Sequence, residues 1–111
     1  MMNSKTFPYY LESFTAWLSA IGLSRSTVYG HPRILWEFFN WLTAQGILQV
    51  KQITREHTEN FLSYNKTRAN RRRDGGISAS HLNRYIDVIN KFNEYLKNVS
   101  TLQIPINAIR V

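Results

Sequence analysis

At 111 residues the chain has the length of a single domain with one core, and its 43% hydrophobic content with three Trp, six Tyr and six Phe argues against intrinsic disorder. The absence of cysteine excludes disulfides and thiolate metal sites and fits a reducing compartment. No apolar run approaches a membrane span and no signal-peptide pattern opens the chain, so a cytoplasmic protein is expected, while fourteen Lys and Arg against seven Asp and Glu favour a polyanionic partner.

The apolar pattern is helical nearly throughout. Phe7, Leu11, Phe14, Leu18 and Ile21 share one stripe, widened by Tyr10 and Trp17. Pro8 suits a first helical turn and Gly22 is a stop, which predicts a first helix over about 8–21. Ser24 is the cap of a second helix, with Leu23 placed to staple onto Val28, and Leu35, Phe38, Phe39 and Leu42 carry its core stripe to Gly46. Pro32 inside it predicts a kink, or a short first turn and a restart.

Thr54 opens a third helix, with Glu56 and Glu59 in a favourable place near its positive end. Phe61 and Leu62 face the core with Tyr64 near them, and the helix is expected to fade between Tyr64 and Arg71. Asp74-Gly75-Gly76 is the clearest turn of the chain. Ser78 caps a fourth helix whose stripe is Leu82, Tyr85, Ile86, Ile89, Phe92, Leu96 and Val99, with Ile77 placed to staple onto Leu82. The tail "STLQIPINAIRV" is apolar without period, and it reads as the start of a linker over residues 100–111.

The second and fourth helices align without gaps, "LSRSTVYGHPRILWEFFNWL" on "ISASHLNRYIDVINKFNEYL". Any two capped amphipathic helices would agree at these positions, so the match is compatible with convergence as well as with a repeat. In either case the expectation is an all-α domain of two helical pairs.

Catalytic signals are weak. His31, His57 and His81 fall at or near helix starts and form no HxxxH pair, the carboxylates form no paired set, and the Gly75-Gly76 turn lacks the spacing of a phosphate-cradling loop. No metal, cofactor or catalytic residue is assigned. Trp17, Trp36 and Trp41 are read as core or rim packing rather than base-stacking platforms.

Binding signals are stronger. Lys66, Arg68, Arg71, Arg72 and Arg73 suit phosphates, which need charge more than geometry. Ser78, Ser80, His81, Asn83 and Arg84 open the fourth helix, and Ser80, Asn83, Arg84, Asp87 and Lys91 fall off its apolar stripe. Arg25, Ser26, Thr27, Tyr29 and Arg33 occupy the matching part of the second helix. Asn83 and Arg84 are residue types able to read base edges. A solvated polar face is the plain alternative for each of them.

Two stretches, "FTAWLSAIGLSRSTVYGHPRILWEFFNWL" and "ISASHLNRYIDVINKFNEYL", give the chain a family likeness. With Leu23, Ser24 and Thr27 at a helix start, Trp41-Leu42 at its end, Ile53-Thr54 before the third helix and Ile89, Phe92 and Tyr95-Leu96 in the fourth, residues 7–99 resemble the N-terminal core-binding, SAM-like domain of tyrosine recombinases or phage integrases. His31-Pro32 departs from the family's usual Tyr-basic pair, and Arg33 is the substitute basic contact.

The resemblance implies an orthogonal bundle of four helices over 1–99. It implies a sequence-specific double-stranded DNA-binding domain that serves DNA integration and recombination, with its second and fourth helices approaching the major groove. The expected partners are duplex DNA, the protein's own catalytic domain, absent here, and the other subunits of a homotetramer on DNA. The setting is bacterial or phage-encoded and nucleoid-associated, with no membrane partner. The alternatives are a helical protein–protein interaction module, or an RNA or single-strand binder.

Overall fold

In a computed structural model the described residues are 6–72, 79–99 and 104–105, with side chains described over 6–66, 82–99 and 104–105. They form α1 (Phe7–Ala20), α2 (Arg25–Ala44), a 3₁₀ turn (Val50–Gln52), α3 (Arg55–Arg72) and α4 (Ala79–Val99). No strand occurs among the described residues, and the fold is all-α.

Each boundary has a local cause. Thr6 Oγ1 accepts from the Tyr9 amide (3.4 Å), and Pro8 sits in the first turn of α1, where its missing N–H is harmless. Gly22, at φ +83°, ends α1 in a Schellman motif: Gly22 N–H donates to Ser19 O (3.1 Å) and Leu23 N–H to Leu18 O (3.3 Å). Gly46, at φ +85°, ends α2 the same way, with Gly46 N–H to Thr43 O (3.0 Å) and Ile47 N–H to Leu42 O (2.9 Å). Leu23 and Ile47, the first residues past these stops, pack partly buried against the core. Ser24 caps α2 by accepting from Thr27 N–H (3.3 Å).

Thr54 caps α3 by a reciprocal arrangement: its Oγ1 accepts from His57 N–H (3.3 Å), and its own N–H donates to His57 Nδ1 (3.0 Å). His57 fills the place that Glu holds in an ordinary capping box, its Nδ1 accepting from the cap amide.

Two expectations about the helices are corrected and one is narrowed. Helix α2 continues through Pro32, which removes the restart from the two outcomes expected there; the ring is buried, and the bond from position 32 to Val28 is forgone. Helix α3 continues to Arg72 rather than fading earlier. Ile21 and Val99 are half-exposed, because α1 has already turned at Ile21 and α4 ends at Val99, and Tyr64 is half-exposed too. The Asp74–Gly76 turn, the Ser78 cap and the Ile77 staple lie outside the described residues.

Helix α4 packs on all three others, while α1 packs most closely on α2. Being enclosed from three sides, α4 buries a wider arc than its stripe: Val88 and Tyr95 join Tyr85, Ile86, Ile89, Phe92 and Leu96 in the core. Phe92 lies at the centre, edge-on to Phe14 (5.4 Å), Phe39 (5.7 Å) and Tyr10 (6.0 Å). Phe39 stacks on Phe7 (4.2 Å), and Phe61 of α3 meets Phe38 (4.7 Å) and Tyr85 (5.5 Å). Such pairs add about 0.5–1.5 kcal/mol each beyond area burial and constrain the relative placement of the helices.

The tail is not wholly free of the bundle. Ile104 is 1% exposed, and the Asn93 side chain grips its backbone from both sides: Nδ2 donates to Ile104 O (2.9 Å) and Oδ1 accepts from Ile104 N–H (2.7 Å). The Thr58 hydroxyl donates to Pro105 O (2.8 Å). Residues 104 and 105 are thereby fixed to α3 and α4, within the stretch expected to be irregular.

Candidate nucleic-acid interface

Ser26, Gly30, Arg33 and Glu37 recur at three- to four-residue spacing, which aligns them along one side of α2. That side faces the first turns of α4, and the two helices enclose a cleft of about 510 Å³. Ser26, Thr27, His31 and Arg33 line it from α2, and Arg84 and Tyr85 from α4. The Ser24 cap leaves the first turn of α2, with Ser26 and Thr27, at the positive end of the helix dipole. The cleft thus offers two guanidinium groups, two hydroxyls and a helix N-terminal turn, the donor types that meet phosphate.

Its floor is tied to the core. The Tyr85 ring lies edge-on to Phe61, while its hydroxyl donates to Glu37 Oε1 across the helix pair (3.1 Å). Glu37 is therefore a carboxylate inside an otherwise cationic cleft. Burial pushes the His31 imidazole below its ordinary 6.5; Lys91 adds to the depression, Asp87 opposes it, and Arg84 adds again. The neutral form of the ring is thereby favoured.

Of the residues singled out from sequence, the fold gathers Ser26, Thr27, Arg33 and Arg84 around this cleft. Lys91 lies two turns beyond Arg84 on α4, within electrostatic reach of His31 and paired to Glu94 (3.3 Å). Arg25 is exposed at the start of α2 and Lys66 is exposed on α3, both away from the cleft lining. Arg68, Arg71 and Arg72 belong to the last turns of α3, so these three lie on a helix rather than a loop; their side chains lie outside the described residues. Arg73 and Ser78 lie wholly outside them, and Ser80 and His81 are described only as backbone in the first turn of α4.

Asn83 is corrected. It is 7% exposed and belongs to the wide buried arc of α4, so it is not on the open face where a base edge could reach it. Conversely, the cleft contains His31 and Glu37, which the sequence does not single out as binding residues. Their spacing from Arg33 is a usable signal. But His31 stands beside a proline that dominates the reading of its helix, and an acid in a basic surface gives no reason to be chosen.

On the other side of α2, Pro32 and Trp36 form an apolar groove of about 620 Å³ with Pro8, Leu11 and Ala16 of α1. Trp36 is 39% exposed at its rim, whereas Trp17 and Trp41 are partly buried against the core. No helix among the described residues is long and apolar enough to cross a membrane, and no group of three potential metal ligands occurs among them.

No curated protein and no solved structure matches the chain. The family model for the phage integrase N-terminal SAM-like domain matches residues 11–100, a span that takes in all of α2, α3 and α4 and most of α1. With that match over most of its length and four helices in the expected order, the chain belongs to the phage integrase N-terminal SAM-like domain family.

Proposed function

We propose that the chain is the sequence-specific duplex DNA-binding domain of a tyrosine recombinase. It would hold the recombination site so that a catalytic domain can perform strand exchange within a DNA-bound homotetramer. The observation that carries this reading is the α2–α4 cleft, where Arg33 and Arg84 converge with Ser26 and Thr27 on a chain of net charge +7. Arg84 would read base edges; Lys66, Arg68 and the run Arg71–Arg73 would hold phosphates beside the groove, with Arg25, Lys91 and the α4 start at Ser78, Ser80 and His81 as further backbone contacts.

The experiment is duplex affinity across a salt series. Affinity should fall steeply, with a log–log slope of about −0.9 for each phosphate neutralised. Replacing Arg71, Arg72 and Arg73 by Gln should weaken every duplex alike and flatten that slope, while Arg84→Ala should reduce discrimination between sites. Absence of duplex binding at low salt would sink the reading. The apolar α1–α2 groove favours a helical protein-interaction module as the second reading; it requires partner binding with weak salt dependence. Tyr29, exposed on α2 a turn from Arg33, is the feature a single-strand binder would use, and stronger binding of single strands than of duplex would select that alternative.

A further inference from the structure

His31 projects into the α2–α4 cleft with Ser26 and Arg33 on its own helix and Arg84 opposite. Among the described lining residues it is the group whose protonation can change near neutral pH; Arg33 and Arg84 are permanently charged. We propose that His31 is a phosphate contact that takes up a proton when duplex DNA enters the cleft, so that the domain binds DNA more tightly as pH falls. The inference rests on the duplex-binding reading and adds a residue and a regulation to it.

The surroundings of the ring set the sign. From α4, Lys91 and Arg84 disfavour the imidazolium and Asp87 favours it; Lys91 is itself partly countered by Glu94. From α2, Arg33 and Glu37 line the same cleft, with Glu37 engaged by the Tyr85 hydroxyl. Glu12 of α1 lines the apolar groove beside Pro32, which shares Arg33 with the cleft, and no described side chain of α3 lines the cleft. Without DNA, burial and the cations around His31 therefore lower its affinity for a proton.

A phosphate placed among Arg33, Arg84 and the hydroxyls of Ser26 and Thr27 brings a negative charge into the site. It neutralises the repulsion from Arg84 and Lys91 and accepts a hydrogen bond from the protonated ring. Protonation and DNA binding then favour one another, as linkage requires. The fixed arginines supply affinity at every pH, and His31 adds a contact only when charged.

Affinity of the 111-residue chain for a labelled short duplex should be measured from about pH 8 to about pH 5.5 at constant ionic strength, the range in which an imidazole changes charge. The expected result is tighter binding toward acid, by up to about tenfold per pH unit for one coupled proton. His31→Gln should flatten that gradient yet still bind, with its salt dependence unchanged above neutral pH. His57→Gln, which leaves a capping-box acceptor at the start of α3 away from the cleft, should keep the gradient. On the unsubstituted chain, the NMR titration midpoint of the His31 ring should move upward when duplex is added, a readout that does not depend on the variant folding.

A gradient that survives His31→Gln or vanishes with His57→Gln overturns the proposal, as does a His31 midpoint unmoved by DNA. In those cases salt-dependent duplex binding still stands, and with it the proposed function. Failure to bind duplex at any pH or salt overturns both.

Discussion

The hydroxyl of Tyr85 on α4 donates to Glu37 Oε1 on α2 at 3.1 Å, which spans the floor of the candidate cleft. The same tyrosine packs its ring on Phe61 of α3, so one residue links the buried core to an acid that faces the proposed path of DNA. A carboxylate beside phosphates repels them, by about 1 kcal/mol for unit charges 4 Å apart in bulk water. Glu37→Gln keeps an acceptor for Tyr85 and removes that repulsion. It should tighten binding to all duplexes by several fold in a fluorescence-anisotropy assay. If Glu37 instead accepts from a cytosine amino group, binding to the preferred site should weaken while other duplexes gain.

Tyr85→Phe preserves the ring contact and deletes the bond. Loss of a hydrogen bond to a charged, partly exposed acceptor should cost about 1–2 kcal/mol in urea unfolding, with the slope of the transition unchanged. A much larger loss would mean that the tyrosine holds α2 against α4 by more than this bond.

The glycines of this chain answer to different constraints and should respond oppositely to alanine. Gly22 and Gly46 hold φ of +83° and +85° with open space where a methyl would stand, so Gly22→Ala and Gly46→Ala should each cost about 1–2 kcal/mol from backbone strain alone. Gly30 lies within α2 with open space around it, and Gly30→Ala should stabilise by roughly 0.5–1 kcal/mol. Because position 30 lines the cleft, the same methyl should weaken duplex binding if backbone and DNA approach closely there. Chemical denaturation and affinity measured on the same samples separate the two effects.

What is legible in the sequence follows from how local each cause is. The caps at Ser24 and Thr54 and the stops at Gly22 and Gly46 depend on a few adjacent residues, and all four are found. Helix α4 shows the limit. Aligning it on α2 matches Phe38 with Phe92 and Leu42 with Leu96, all buried, yet sets Tyr29, which is 64% exposed, against Asn83 in the interior. Both helices pack on the other three, yet α4 buries the wider arc, and no periodicity within a helix states how wide that arc will be. The cleft is likewise a product of α2 meeting α4, so Arg33 and Arg84 can be picked singly, while the Glu37–Tyr85 bond between their helices cannot. The tail is opaque for the same reason: an aperiodic "QIPIN" gives no sign that Asn93 and Thr58 capture its backbone.

That capture is testable. Asn93→Ala removes both bonds to Ile104 and leaves its buried backbone groups in need of partners, which should cost about 2 kcal/mol or more. Thr58→Val keeps the shape and removes the bond to Pro105, for about 1 kcal/mol. Amide exchange at Ile104 should accelerate in the first variant. If neither stability nor exchange changes, the tail is not part of the cooperative unit.

The His31 imidazole also makes stability depend on pH. Its folded-state pKa lies below the ordinary 6.5, first because of burial and then because of Lys91, with Asp87 opposing and Arg84 adding. Below 6.5 the unfolded chain takes up a proton that the folded chain resists, so the unfolded state binds more protons and is favoured. The contribution is therefore fully present above 6.5 and is lost as pH falls through the lower, folded value. Thermal midpoints without DNA should decline over that interval, and His31→Gln should decline less. Added duplex should reverse the trend for the unsubstituted chain, because the bound phosphate makes the charged ring welcome in the folded state. A midpoint that falls with acid equally with and without His31 would assign the dependence to other groups.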